Sequence, residues 1–188
     1  MTISWMLKVL VIGPPNCGKT SFVFATEHPE DIQFSVGVNI QSVKSIFDDG
    51  DQCKTILWDI EARRRFVFIY PSFFRGASGC LLCLDLSNPN NFHDLIWWIR
   101  LLRKLRGDIP VFLVGLKSDL PQVIDLTDIR DFIDEYSIKG YFTTSRETRF
   151  LRDQIVEKLA NTIISRRLIE EGGKDPSKKY LDDGKFSL

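Results

Sequence analysis

The stretch from Gly13 to Thr20, which reads Gly-Pro-Pro-Asn-Cys-Gly-Lys-Thr, constrains the fold of this chain more than any other feature. It fits the pattern G-x-x-x-x-G-K-T, in which the backbone N–H groups of a glycine-rich loop wrap a phosphate chain. An apolar run over residues 8–12 precedes it, and a segment with helical character over residues 21–27 follows. This strand–loop–helix order is the setting that the motif requires. A glycine-containing turn that happens to include Lys-Thr would not explain these flanks.

The loop residues have separate predicted parts in phosphate binding. Gly13 and Gly18 permit backbone turns that a Cβ atom would obstruct. Lys19 is predicted to reach the β- and γ-phosphates, as a binding and catalytic residue, and Thr20 to give its hydroxyl to Mg²⁺. Two prolines in the loop lack an N–H, so that part of the cradle has fewer donors. The predicted nucleotide-binding residues of this region are Gly13, Asn16, Cys17, Gly18, Lys19, Thr20 and Ser21.

Charge and cysteine usage limit the possible partners and the compartment. The chain carries 25 basic and 25 acidic residues, so its overall charge gives no reason to expect nucleic acid or an anionic membrane. Cys80 and Cys83 lie in one apolar run, and on a strand such positions face opposite sides and do not easily share a metal. We expect buried core cysteines in a reducing compartment.

Neither terminus suggests a membrane anchor. Residue 2 is threonine, the last four residues contain no cysteine, and no apolar run is long enough to span a bilayer. We therefore expect a soluble cytoplasmic protein without a direct lipid anchor, whose membrane association would be mediated by a partner.

Short apolar runs alternate with helical patterns along the chain, which predicts βαβ units and a mainly parallel sheet. The second and third predicted strands flank a turn at residues 48–51 and should form an antiparallel hairpin. Residues 60–78 lack a clear period and are predicted to form a loop with a helical turn. Residues 1–171 are predicted to be one domain and residues 172–188 a polar, flexible tail. The predicted strands are residues 6–12, 36–47, 53–59, 79–86, 110–116 and 140–144.

The loops after the strands are where an α/β sheet of this kind binds ligands. Asp59 ends the third predicted strand, and beside the phosphate loop it is placed to hold Mg²⁺ through a water. The alternative is an ordinary surface aspartate. Two more strand-end loops follow, at residues 116–120 and 143–146.

With these loops in this order, the chain resembles the small GTPases of the Ras superfamily, and the pair Trp58-Asp59 is most like the Rab branch. The resemblance implies a small G domain with the P-loop NTPase fold, in which helices flank both faces of a six-stranded, mostly parallel sheet. It also implies a GTP-hydrolysing molecular switch with GTP or GDP as ligand and Mg²⁺ as cofactor.

The resemblance assigns the later loops to the guanine base. Asp119 matches the aspartate that accepts hydrogen bonds from guanine N1 and its amino group, and the stem of Lys117 would lie along the base. Ser145 belongs to the loop whose backbone N–H meets the guanine oxygen. Leu120 and Arg146 are predicted to bind nucleotide beside these residues.

The same resemblance supplies the switch segments and the remaining metal ligand. Ser35 matches the threonine that binds Mg²⁺ and the γ-phosphate, although it can also be read as a plain loop serine. The predicted metal ligands are thus Thr20, Ser35 and Asp59. Effectors and exchange or GTPase-activating proteins would bind through residues 28–40 and 60–76.

Departures from the family pattern predict slow hydrolysis. The family has D-x-x-G-Q where this chain has Asp59-Ile60-Glu61-Ala62-Arg63, so Arg63 replaces the glutamine that orients the attacking water. Arginine has no hydrogen-bond acceptor and cannot take over that part. Glu61 is one substitute, and Arg63 could instead stabilise phosphate charge as a catalytic residue or lie on a partner-binding face.

Leu116 is the second departure, because it replaces the asparagine of N-K-x-D and cannot hydrogen-bond. Guanine affinity is therefore expected to fall. An alternative to the GTPase is a non-hydrolysing scaffold that binds GTP. A P-loop small-molecule kinase is disfavoured by Lys117-Ser118-Asp119.

Overall fold

The structure is a computed structural model that describes residues 4–25, 37–47, 50–145, 147–148 and 151–172. The predictions for Ser35 and the rest of residues 28–36, for Arg146, and for residues 173–188 lie outside this part of the chain.

Within the described residues, one six-stranded sheet has the strand order β2-β3-β1-β4-β5-β6. β2 runs antiparallel to β3, while the β1–β3, β1–β4, β4–β5 and β5–β6 pairs are parallel. The predicted hairpin and mostly parallel sheet are confirmed, and strand boundaries differ from the prediction by one or two residues. The strands are β1 (Ser4–Ile12), β2 (Val38–Ile46), β3 (Gln52–Ile60), β4 (Gly79–Asp85), β5 (Val111–Leu116) and β6 (Gly140–Thr143).

Helices follow most strands, as the alternating pattern predicts. The first begins at Lys19 and ends at Phe24, earlier at both ends than the predicted residues 21–27. None of the described helices combines the length and the low polarity needed to cross a bilayer. The helices are α1 (Lys19–Phe24), α2 (Tyr70–Phe74), α3 (Asn90–Arg106), α4 (Leu126–Glu135) and α5 (Leu151–Glu170), with a 3₁₀ helix over Arg64–Ile69.

The segment from residue 60 to residue 78 is more regular than predicted. A 3₁₀ helix leads directly into α2, where the sequence predicts a loop with one helical turn. Phe66, Tyr70 and Phe74 are buried at a spacing of four residues, which anchors one face of this segment on the sheet. The prediction fails because other aromatic and aliphatic residues lie between these three and hide the period.

Two apolar cores cover the two faces of the sheet. β4 lies in the middle, and all of its residues are buried. Cys80 belongs to the core on one face and Cys83 to the core on the other, which confirms that they point in opposite directions. Burial raises the pKa of both thiols, so they remain neutral.

The parallel strands end at a common edge of the sheet, and this edge positions the site. The phosphate loop follows β1, Asp59 lies near the end of β3, and Asp85 ends β4. The loops containing Lys117 and Ser145 follow β5 and β6. Residues distant in the sequence are brought together there.

Candidate nucleotide-binding site

The phosphate loop has a backbone that depends on its two glycines, Gly13 and Gly18. At Gly13, where φ is +146°, an added Cβ would lie 2.1 Å from the carbonyl oxygen of Cys83 in β4. Gly18 has φ +107° and Asn16 has φ +60°, so the chain turns through left-handed conformations before α1. Such alternation directs successive N–H groups inward and makes a cradle for anions.

Lys19 lies inside this loop. The residue is 7% exposed, and its ammonium donates hydrogen bonds to the carbonyl oxygens of Gly13 at 3.1 Å and Pro14 at 2.7 Å. The positive charge is therefore held within the cradle. Cys17 is fully buried below the loop, where burial raises the pKa of its thiol, so its side chain contributes packing there. Ser21 is half-buried in the first turn of α1.

Two predicted metal ligands meet beside the loop. The Thr20 hydroxyl donates to Oδ2 of Asp59 at 2.6 Å, although 39 residues separate them. Asn39, which pairs with Asp59 across the β2–β3 ladder, donates from Nδ2 to the same oxygen at 3.2 Å. The Asp59 carboxylate is thus fixed from two sides and is 2% exposed.

This cluster fits Mg²⁺. Mg²⁺ prefers oxygen donors, and a hydroxyl and a carboxylate are adjacent here. The side-chain oxygen of Asn39 is buried and has no hydrogen-bond partner among the described residues, as expected for an acceptor that completes a hydrated metal site. Thr20 and Asp59 would hold the ion, whose charge would neutralise phosphate oxygens when bound.

The loop after β5 reaches the phosphate loop through a lysine. The Lys117 ammonium donates to the carbonyl oxygen of Asn16 at 3.2 Å and to Oδ2 of Asp85 at 2.5 Å. Asp119 and Leu120 are exposed, and Asp119 makes no hydrogen bond to any residue in the described part of the chain. The Asp119 carboxylate is accordingly available to a ligand.

The loop after β6 adjoins the Lys117 loop through one backbone hydrogen bond, from the N–H of Ser118 to the carbonyl oxygen of Thr144 at 3.3 Å. The backbone N–H of Ser145 donates to Oγ1 of Thr148 at 2.9 Å. This N–H is therefore used within its own loop, and its predicted contact with the base stays a prediction.

Comparison with known proteins agrees with this geometry. Residues 8–165 match the sequence profile of the Ras family. The chain belongs to the Ras family. It is 28% identical over 181 residues to the Ras-related protein Rab-3 of Caenorhabditis elegans, covering 93% of this chain and 81% of that protein. It is 32% identical over 167 residues to the Ras-related protein Rab-18-B of Danio rerio, covering 83% and 80%.

A third relative, the GTP-binding protein ypt4 of Schizosaccharomyces pombe, is 27% identical over 186 residues, covering 94% of this chain and 79% of that protein. The resemblance drawn from the motifs, to a Ras-superfamily small GTPase of the Rab branch, is confirmed. The changed motifs therefore stand in a Ras-family G domain.

Leu116 is one such change in this Ras-family protein. It is 4% exposed at the end of β5, and an added Cβ at Gly18 would lie 3.5 Å from its Cδ1 atom. The side chain therefore packs below the end of the phosphate loop. An apolar contact replaces the hydrogen bonds of the asparagine that the family pattern has here.

The segment after β3 carries the second change. The Nε atom of Arg63 lies 2.5 Å from Oε1 of Glu61, and a guanidinium nitrogen of Arg65 lies 3.9 Å from the same oxygen. The Tyr70 hydroxyl donates to the carbonyl oxygen of Glu61 at 2.8 Å. Burial, with a contribution from Glu61, raises the pKa of Tyr70 to about 12, so it remains a donor at neutral pH. The side chain of Arg64 is outside the described part.

Sequence reasoning overlooked three residues of this site. Asp85 follows an apolar run just as Asp59 does, so the strand-end rule applied to Asp59 would also have found it. Asn39 could be identified only from the register of the β2–β3 hairpin, which places it opposite Asp59. Tyr70 has no sequence signal beyond its spacing of four from Phe66 and Phe74.

Proposed function

We propose that this chain is a GTP-binding molecular switch that hydrolyses GTP slowly without a partner. The observation that carries the proposal is the convergence of three contacts around one loop. Lys19 is buried inside the loop, Thr20 pairs with Asp59 beside it, and Lys117 binds its outer carbonyl at Asn16. Together they provide a phosphate cradle, a Mg²⁺ site and a link to the base-binding loop.

The exposed carboxylate of Asp119 supports selectivity for guanine. It lies two residues beyond Lys117, whose ammonium binds the phosphate loop, so the same turn can contact both ends of a nucleotide. A carboxylate offers acceptors to the N1–H and the amino group of guanine, whereas adenine presents an acceptor at N1. The neighbouring residues Leu120, Ser145 and Arg146 would complete the base-binding surface.

The ion pair between Arg63 and Glu61 is the reason to expect slow hydrolysis. Arg63 has no acceptor with which to orient a water, and its guanidinium is paired with Glu61. The Glu61 carboxylate is held by Arg63 and is not free to orient a water, so Glu61 is a poor replacement for the family's glutamine. The remaining acceleration would come from Lys19 and the loop amides, with Arg63 acting on phosphate charge if it is released from Glu61.

Partner proteins would read the nucleotide state from residues 28–40 and 60–76. In the second of these segments the ring of Phe68 is 79% exposed beside the arginines, which supports a protein-binding role. The regulators would be exchange factors and GTPase-activating proteins. A partner could also supply the water-positioning group that this chain lacks.

The test is nucleotide content and turnover in one sample. We expect protein purified with Mg²⁺ to contain guanine nucleotide, and loaded GTP to be converted to GDP slowly but faster than in buffer. Asp119→Asn should shift the preference from guanine to xanthine nucleotide, because an amide can donate to the xanthine oxygen. Absence of bound guanine nucleotide, or unchanged selectivity in Asp119→Asn, would contradict the proposal.

A non-hydrolysing GTP-binding scaffold is the second candidate. The Arg63–Glu61 ion pair favours it, because that pair occupies both side chains that could assist hydrolysis. Single-turnover hydrolysis at the rate of GTP in buffer, with normal GTP binding, would select this function over the switch.

A further inference from the structure

A charged residue at the end of β4 fixes the position of Lys117. Asp85 ends β4 and is 5% exposed, and its two carboxylate oxygens have different partners. Oδ2 accepts from the Lys117 ammonium at 2.5 Å, whereas Oδ1 accepts from the backbone N–H of Ser87 at 2.9 Å and from its hydroxyl at 2.6 Å. The carboxylate therefore cannot rotate without losing hydrogen bonds.

The ammonium of Lys117 joins three strand-end loops. Lys117 itself follows β5, and Asp85 lies at the end of β4. The ammonium also binds the carbonyl oxygen of Asn16, in the phosphate loop after β1, at 3.2 Å. Lys117 has φ +59°, a conformation that side chains other than glycine seldom adopt. Its side chain is bound at the far end, which compensates for this backbone strain.

The neighbouring residue explains why this bridge matters. The side chain of Leu116 contacts the phosphate loop through apolar packing and makes no hydrogen bond. It therefore cannot fix the orientation of the phosphate loop as a hydrogen-bonding side chain would. The contact from Lys117 to Asn16 is the polar tie that the described residues provide between the β5 loop and the phosphate loop. Its geometry depends on Asp85.

We propose that Asp85 is a positioning residue for guanine nucleotide binding, which acts by holding Lys117 against the phosphate loop in place of the missing asparagine at position 116. This inference rests on the proposed function, because it concerns the same nucleotide site. Burial opposes the charged form of Asp85, but the hydrogen bonds from Lys117 and Ser87 outweigh it and lower the pKa of the carboxyl. The group is therefore anionic at neutral pH.

The experiment measures dissociation of a fluorescent GDP from the loaded full-length chain in the presence of Mg²⁺. Asp85→Asn keeps the shape of the side chain but removes the charge, and should speed dissociation about 10-fold. Asp94→Asn is the matched control, since it makes the same charge change on the exposed face of α3. Its rate should equal that of the wild type.

A double-mutant cycle separates positioning from a general loss of stability. Lys117→Ala alone should also speed dissociation, and Asp85→Asn should add less than about 2-fold to it, because both substitutions remove one interaction. A merely structural role of Asp85 would give rate increases that multiply. Multiplying effects would overturn the proposal.

The remaining outcomes are equally decisive. Dissociation from Asp85→Asn at the wild-type rate would overturn this inference and leave the proposed function standing. Failure of the wild-type chain to load the probe would overturn both. Should Asp85→Asn not fold, Ser87→Ala removes the shorter of the two hydrogen bonds to Oδ1 of Asp85 and should speed dissociation about 3-fold. A wild-type rate would again overturn the inference.

Discussion

The phosphate loop and the segment after β3 lie at the same edge of the sheet, but they are held in different ways. The phosphate loop is fixed by backbone shape, since Gly13 lies against the β4 backbone and Lys19 binds carbonyl oxygens of the loop itself. The segment after β3 is fixed by side chains, through the Glu61–Arg63 ion pair and the Tyr70 hydroxyl.

From this difference we expect that nucleotide binding and turnover depend on separable sets of residues. A loop held by its backbone tolerates few substitutions, and it retains the pattern of its family. A segment held by side chains can change its chemistry while the fold remains, which is what Ala62 and Arg63 illustrate. The slow hydrolysis proposed above would therefore leave nucleotide binding in place.

The largest effect should come from Gly13→Ala, which tests whether the backbone shape holds the phosphate loop. Gly13 has φ +146°, which strains an alanine, and the new Cβ would overlap the carbonyl oxygen of Cys83. The free energy of unfolding should therefore fall by about 4 kcal/mol, and nucleotide binding should be lost. Denaturant unfolding measures the cost. Gly50→Ala is the matched control, because Gly50 also has positive φ but no atom within 4 Å of the new Cβ, and should cost about 1 kcal/mol. Equal costs would show that contact with β4 does not matter.

Arg63→Gln should have an intermediate effect, on turnover alone. It restores an acceptor near the reacting water and frees Glu61, so single-turnover hydrolysis should rise about 10-fold while GDP affinity changes less than about 2-fold. Arg65→Gln, with the same charge change at the weaker Glu61 contact of 3.9 Å, should leave the rate near the wild-type value. A slower Arg63→Gln would instead identify Arg63 as a group that stabilises phosphate charge.

Tyr70→Phe should have the smallest effect, and it tests whether side chains hold the segment after β3. Loss of the hydrogen bond to Glu61 should lower the free energy of unfolding by about 1 kcal/mol at neutral pH. The folded-state pKa of about 12 exceeds the ordinary value of 10.0, so the stabilisation is complete below pH 10 and is lost as pH rises toward 12. The wild-type advantage over Tyr70→Phe should shrink across that interval. A constant difference in unfolding experiments would contradict this cause.

Much of the fold can be predicted from the sequence because its signals are local. The apolar run after Gly79 has the length and hydrophobicity of a strand buried on both faces, and β4 is such a strand. Residues 60–78 resist prediction because exposed Val67 and Phe68 lie between the buried aromatic residues and are as apolar as they are. Only packing on the sheet distinguishes the buried rings from the exposed one.

The candidate site divides in the same way. Lys19, Thr20 and Asp59 can be found from a motif and a strand end, and the structure brings them together. Asp85 acts through Lys117, which is 32 residues away, and no local pattern records a contact over that distance. Such partners require the strand order of the sheet, because the order decides which loops are neighbours.

Because Cys80 and Cys83 point in opposite directions, their thiols can report separately on the two faces of the sheet. Each thiol is completely covered, one by the core that includes Tyr70 and α3, the other by the core that includes Phe22 and α5. A thiol reagent can reach Cys80 only when the first layer lifts from the sheet, and Cys83 only when the second does. Alkylation rates at these two sulfurs would therefore measure separately how often each side of the protein opens, and would show which side loosens when the nucleotide changes.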